Sequence, residues 1–184
     1  MANLVAMQMV SGPDVDENLA VVSEWVAKQV PGSLVVLPEC FACFGAGDAA
    51  LLTIRESLGE GKIQSQLSQL AKQHQVHIIG GTQPLFCDDP QRYSASSLYF
   101  NELGERVADY QKIHLFDVDI EDNTGSYRES KFTQGGSKIV VVDTPFGRLG
   151  MAVCYDLRFA GLFQAMGQID VLVLPSAFTR RTGQ

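Results

Sequence analysis

The sequence predicts an α/β fold in which short apolar strands first alternate with amphipathic helices and then give way to hairpins. Three observations carry that prediction. Apolar runs of strand length, SLVVLP (33–38), VHIIGGT (76–82) and DVLVLP (170–175), recur along the chain, the pattern of strands covered on both faces. Segments with apolar residues at helical spacing lie before the first run and between the first two. Further on, two pairs of strand-like segments close on turn signals, one on NELGE (101–105) and one on Pro145, Phe146 and Gly147, and read as hairpins.

Taken in order, LVAMQM (4–9) is a first short strand. VDENLAVVSEWVAKQV (15–30) then places Leu19, Val22, Trp25 and Val26 on one helical face, with Asp14 or Asp16 available as cap, and Pro31-Gly32 ends it. SLVVLP returns as a buried strand. Ile63, Leu67, Leu70 and Ala71 mark a second helix, and VHIIGGT follows as a third strand. This β-α-β-α-β order implies a largely parallel sheet with helices against it. After Thr82 come the hairpin around NELGE, the pair within SKIVVVDTPFGRLGMAVC, a short helix and the strand in DVLVLP. No repeat or linker interrupts the chain, so residues 1–184 read as a single domain.

Composition narrows the function. The chain has 184 residues, 46% of them hydrophobic, with a net charge of −7. No basic cluster exceeds Arg180-Arg181, which argues against a nucleic-acid partner. The apolar runs are far too short to span a bilayer, and the N-terminus lacks the basic region of a signal peptide, so a cytoplasmic protein without membrane contact is expected. Of the four cysteines, Cys40 and Cys43 form a C-x-x-C. No second such pair follows, and His74, His77 and His114 lack zinc-finger spacing. Free thiols and no metal are therefore the expectation.

In open α/β sheets functional groups gather beyond the carboxyl ends of strands. Glu39 follows SLVVLP, Lys112 follows ERVADYQ, and Cys154 ends GRLGMAV. Together they make a chemically coherent set. A cysteine attacks as thiolate, a nearby cation lowers its pKa, and a carboxylate can take its proton. Lysine can hold an oxyanion, and glutamate can activate water. Taken singly, each has a plainer reading: Cys154 as a buried hydrophobe, Lys112 as a solvated surface charge, Glu39 as a helix cap.

These residues stand in segments that resemble the nitrilase superfamily of carbon–nitrogen hydrolases. VVLPECF (35–41) is similar to the family's glutamate motif, YQKIHLFDVDI (110–120) to its lysine motif and GMAVCYDLRF (150–159) to its cysteine motif, in the family's order. The resemblance implies an α-β-β-α sandwich. CYDLRF, KIHLFDVDI and LPSAFTRRTG look like the Nit-type amidases related to ω-amidase and deaminated-glutathione amidase. It implies hydrolysis of a small carboxylate-bearing ω-amide through a cysteine thioester, with no cofactor, in a homodimer. Cys154 would be the nucleophile, Glu39 the acid/base, and Lys112 with the Tyr155 N–H the oxyanion hole. Glu129, in YRES, would stand beside them. Arg158 would clamp the substrate carboxylate, and Phe178 and Thr182 would line the substrate's site. The plainer readings are a salt bridge for Arg158 and a core position for Phe178.

Two departures from the resemblance stand out. Ala160-Gly161 follows CYDLRF where the branch carries Pro-Glu and a longer helix. The chain also ends at TRRTGQ, so the family domain is expected to be C-terminally truncated here. That keeps two other functions open: a folded but inactive homologue acting as a binding module, and an N-carbamoyl or aliphatic amidase.

Overall fold

The computed structural model describes residues 3–119 and 126–178. The elements in chain order are β1 (Leu4–Ala6), α1 (Val15–Val26), β2 (Leu34–Val36), α2 (Asp48–Leu51), α3 (Lys62–His74), β3 (His77–Ile79), β4 (Gln83–Leu85), β5 (Ser94–Phe100), β6 (Arg106–Gln111), β7 (Asp117–Asp119), β8 (Ser126–Arg128), β9 (Val140–Thr144), β10 (Gly147–Met151), α4 (Ala160–Met166) and β11 (Val171–Val173).

Two sheets stack between helices. In the first, β1, β2 and β3 run parallel, β3 pairs antiparallel with β5, and β5 pairs antiparallel with β4 and β6. In the second, β10 lies between antiparallel β9 and parallel β11. Strand alternation sorts side chains between three cores. Val35, Ile78, Leu98 and Phe100 face Leu19, Val22, Leu67 and Leu70 of α1 and α3. Their neighbours Leu34, Ile79 and Tyr99 face the other way, meeting Leu149, Met151 and Val173 of the second sheet. On the outer side of that sheet Ala152 meets Leu162 and Met166 of α4. The resulting order, helices, sheet, sheet, helix, is the expected α-β-β-α sandwich.

Local chemistry accounts for the helix ends. Asp14 caps α1 by accepting from the Asp16 and Glu17 N–H groups at 2.8 and 3.0 Å, a contact worth about 1 kcal/mol. The start of α3 is held by a distant residue instead: the buried Glu56 carboxylate accepts from the N–H groups of Ile63 (2.6 Å) and Gln64 (3.2 Å). The strands are shorter than the apolar runs suggest, because the runs continue past the last paired residue. The extensions beyond the carboxyl ends of β2, β6 and β10, still hydrogen-bonded to neighbouring backbone, carry the site.

Candidate active site

Beyond β2 the chain continues through Leu37 and Pro38 and turns at Glu39. The turn is packed against the segment after β3. Gly81 has φ +42, and a Cβ there would overlap the Pro38 carbonyl, so only glycine lets the two backbones approach this closely. Cys40 is left-handed (φ 54), and its N–H donates to Thr82 Oγ1 at 2.8 Å. Beyond β6, Lys112 is anchored by main-chain bonds on both sides. Its N–H donates to Ala95 O at 2.9 Å, and its carbonyl accepts from Gly136 N–H at 2.8 Å. Beyond β10, the Cys154 N–H donates to Pro175 O at 3.0 Å, and Cys154 itself is left-handed at φ 46. A left-handed non-glycine residue costs about 1–3 kcal/mol and marks a position over-determined by its surroundings. A single 3₁₀ turn, Cys154–Arg158, follows.

The three strand ends converge. Lys112 Nζ lies 2.9 Å from Glu39 Oε1 and 2.9 Å from both carboxylate oxygens of Glu129. The lysine side chain is 2% exposed, against 10% for Glu39 and 20% for Glu129, which rules out the solvated-charge reading of Lys112. Glu39 caps no helix. Its second oxygen accepts from the Ala177 N–H at 2.9 Å, and its carboxylate stands near enough to the Cys154 thiol to raise its pKa. Glu129 Oε2 is fixed by the Phe116 N–H at 2.6 Å.

Charge and burial decide the protonation states. Burial alone would lower the Lys112 pKa, but the charges and hydrogen bonds of Glu39 and Glu129 outweigh it, so the ammonium is held above its ordinary value. It is a fixed electrophile and not a base. Burial, opposed by Lys112, raises Glu129. Burial also pushes the Cys154 thiol up to about 12, with the Glu39 charge and hydrogen bond adding to it and Lys112 opposing. The sequence-based expectation that a neighbouring cation lowers this pKa is therefore corrected. Lys112 is present, but the neutral thiol is stabilised by desolvation and by the Glu39 carboxylate.

The cluster opens into a cavity of ≈ 660 Å³. Arg158 lines it, exposed and without an ion pair among the described residues, so the salt-bridge reading is not realised. Phe178, 53% exposed, lines it as well and is not a core residue. Tyr155 lines it with its ring set edge-on to Phe116 and Phe159 at 5.0 and 5.4 Å. The Tyr155 N–H has no acceptor among the described residues. Thr182 lies outside the described residues. The cavity also takes residues that sequence reasoning missed: Arg128, immediately before Glu129, and the C-x-x-C pair Cys40 and Cys43, which are free thiols. Asp156 was missed too. It stands two residues after the cysteine but is fully buried, facing away from the cavity wall. Its place next to the nucleophile was the available signal; the direction of its side chain was not.

Comparison with known proteins identifies the family. The pattern defining a family described as carbon-nitrogen hydrolase matches residues 4–182. A protein named deaminated glutathione amidase from Yersinia enterocolitica is 41% identical over 187 residues, covering 100% of this chain and 65% of that protein. Omega-amidase NIT3 of Saccharomyces cerevisiae is 34% identical over 192 residues, covering 97% of this chain and 65% of its own length. The crystal structure of Saccharomyces cerevisiae Nit3, a member of branch 10 of the nitrilase superfamily, superposes with a TM-score of 0.80 at 29% identity, over 97% of this chain and 66% of that one. The chain thus spans about 65% of the length of these curated relatives.

Proposed function

The chain belongs to the carbon–nitrogen hydrolase family, and we propose that it is a thiol amidase acting on small ω-amides that carry a carboxylate. One observation carries the proposal: Lys112 sits 2.9 Å from Glu39 and Glu129, in the cavity that Cys154 also lines, where the Glu39 carboxylate raises the pKa of the Cys154 thiol.

In this reading Cys154 Sγ attacks the amide carbonyl carbon as its proton passes to Glu39. The raised thiol pKa means that proton transfer accompanies attack instead of preceding it. The carbonyl oxygen becomes an oxyanion, taken by Lys112 Nζ and the Tyr155 N–H. Lys112 has a donor to spare for this, because Glu129 engages it through two oxygens and can release one. Collapse breaks the carbon–nitrogen bond, and Glu39 returns its proton to the departing ammonia or amine. The remaining thioester is then cleared by water, which gives a proton to Glu39 as its oxygen adds to the carbonyl. Expulsion of the cysteine sulfur, reprotonated by Glu39, yields the carboxylate product.

The substrate class rests on the names of the relatives and on charge. In a chain of net charge −7, two arginines, Arg128 and Arg158, line the same cavity. A planar guanidinium fork suits a carboxylate. The test is ammonia release from a panel of ω-amides with and without a carboxylate. Turnover that prefers the carboxylate-bearing members, vanishes in Cys154→Ala and shows a raised KM in Arg158→Ala supports the proposal. No turnover on any amide would overturn it, and carbon dioxide as co-product would reassign the substrate to the N-carbamoyl class.

A further inference from the structure

Lys112 and Cys154 come from different sheets, and one buried carboxylate is hydrogen-bonded to both of the segments that carry them. Asp156 has no exposed surface and accepts four hydrogen bonds. Three come from the two residues flanking Lys112 on either side: Tyr110 Oη donates to Oδ2 at 2.7 Å, and His114 donates to Oδ1 through its backbone N–H at 2.9 Å and through Nδ1 at 2.7 Å. The fourth comes from the Val153 N–H, 2.9 Å from Oδ2, while the Asp156 N–H donates back to Val153 O at 3.0 Å. The carboxylate thus closes the turn on which Cys154 is held left-handed. The far end of that turn is gripped as well, because the His114 ring stacks on Phe159 with centroids 3.6 Å apart and planes 8° apart.

We infer that Asp156 is a positioning residue: a buried strut that sets the Cys154 thiol against the Lys112 ammonium by bonding the residues on both sides of the lysine to the cysteine turn. It touches no substrate and does not line the cavity. Its effect on rate rests on the amidase reading above; its effect on the geometry of Cys154 does not. Catalytic constellations lose activity when their supports loosen by about 1 Å. Every acceptor site of the carboxylate is used, so Asn cannot replace it. Whichever oxygen becomes an amide NH₂ then faces a backbone N–H, of Val153 or of His114, that has lost its acceptor.

Tyr110→Phe is the informative variant, because it removes a single hydroxyl from a buried ring and leaves the other three bonds to Asp156. It is expected to lower kcat about tenfold, equivalent to about 1.4 kcal/mol, with KM within about twofold. Asp156→Asn is expected to lower kcat about a hundredfold. The two changes combined should cost no more than Asp156→Asn alone, because both act through one strut. In parallel, the rate of iodoacetamide labelling at Cys154, mapped cysteine by cysteine, should change in both variants while labelling of Cys87 stays the same. Losses that multiply in the double variant, or thermal destabilisation with kcat and Cys154 labelling unchanged, would overturn the inference. If the unmodified protein turns over no amide, the amidase reading fails, and the labelling pattern alone decides whether the strut exists.

Discussion

Replacing Lys112 with methionine separates the structural role of the ammonium from its chemistry. The substitution keeps an unbranched side chain one atom shorter and removes the ammonium, leaving Glu39 and Glu129 facing each other, 10% and 20% exposed, without the cation between them. Each lysine–carboxylate contact has an attraction of about 4 kcal/mol at an effective dielectric of 20 and a charge separation near 4 Å. Against this stands the several kcal/mol needed to bury an ammonium, which the methionine does not need. The net expectation is a loss of about 3–5 kcal/mol, as for other buried ion pairs broken on one side. That would be a large part of a typical domain stability of about 5–15 kcal/mol. Urea unfolding followed by fluorescence of Trp25, the only tryptophan, measures it directly. The deficit should shrink at pH 5. With no cation between them, one carboxylate binds a proton more tightly folded than unfolded, so stability rises as pH falls through that range. Lys112→Met combined with Glu129→Gln removes one of the two stranded charges and should recover about half of the loss. A Lys112→Met protein within about 1 kcal/mol of the original, or equally weakened at pH 7 and pH 5, would refute the account of Lys112 as the ion that neutralises this site.

Three further outcomes are expected. Labelling of Cys154 by iodoacetamide should climb about tenfold per pH unit between pH 7 and 10, because the thiol is pushed up to about 12; a plateau near pH 8 or 9 would contradict the burial argument. The same shift weakens the fold in alkali. An unfolded cysteine loses its proton near pH 8.5 while the folded one keeps it, so stability falls as pH rises past that point. Cys40, also pushed up to about 12, chiefly by burial, acts in the same direction, and the urea midpoint of Cys154→Ser should fall less steeply above pH 9. Gly81→Ala should cost about 2–5 kcal/mol, combining the left-handed penalty with a clash, and should lower kcat more than tenfold, because the Cβ meets the Pro38 backbone next to Glu39 and not a side chain that can swing away. Unchanged kcat in that variant would mean that the turn carrying Glu39 tolerates displacement.

Much of the frame is legible in the sequence because it depends on residues near one another in the chain. The runs around β2 and β3 read as strands because their side chains are buried on alternate faces, Val35 toward the helices and Leu34 toward the second sheet, whereas in β11 Leu172 is left exposed. Asp14 is visible as a cap because its partners are two and three residues away. β4, α2 and the pair of β7 and β8 are not legible. β4 is a three-residue edge strand containing Pro84, and its pairing depends on β5. Glu56 satisfies the start of α3 from outside the helix, through Ile63 and Gln64, where no local capping residue exists.

At the site the same distinction separates residue type from residue state. Glu39, Lys112 and Cys154 could be picked out at strand ends, and Glu129 through the family resemblance, but the sign of the thiol shift could not be read. A lysine and a glutamate near a cysteine act in opposite directions, and the balance depends on which is bonded to the sulfur and on how much water has been excluded. Here burial is the leading cause and the Glu39 carboxylate adds to it, so the site holds its proton on sulfur and its positive charge on Lys112. Asp156 follows the same logic. In CYDLRF it looks like one more polar residue beside the nucleophile, yet its bonds run back to Tyr110 and His114, across a gap that only the stacked sheets close. The proposed strut is thus a buried carboxylate whose partners, Tyr110 and His114 on one side and Val153 on the other, are neighbours only because the two sheets pack together.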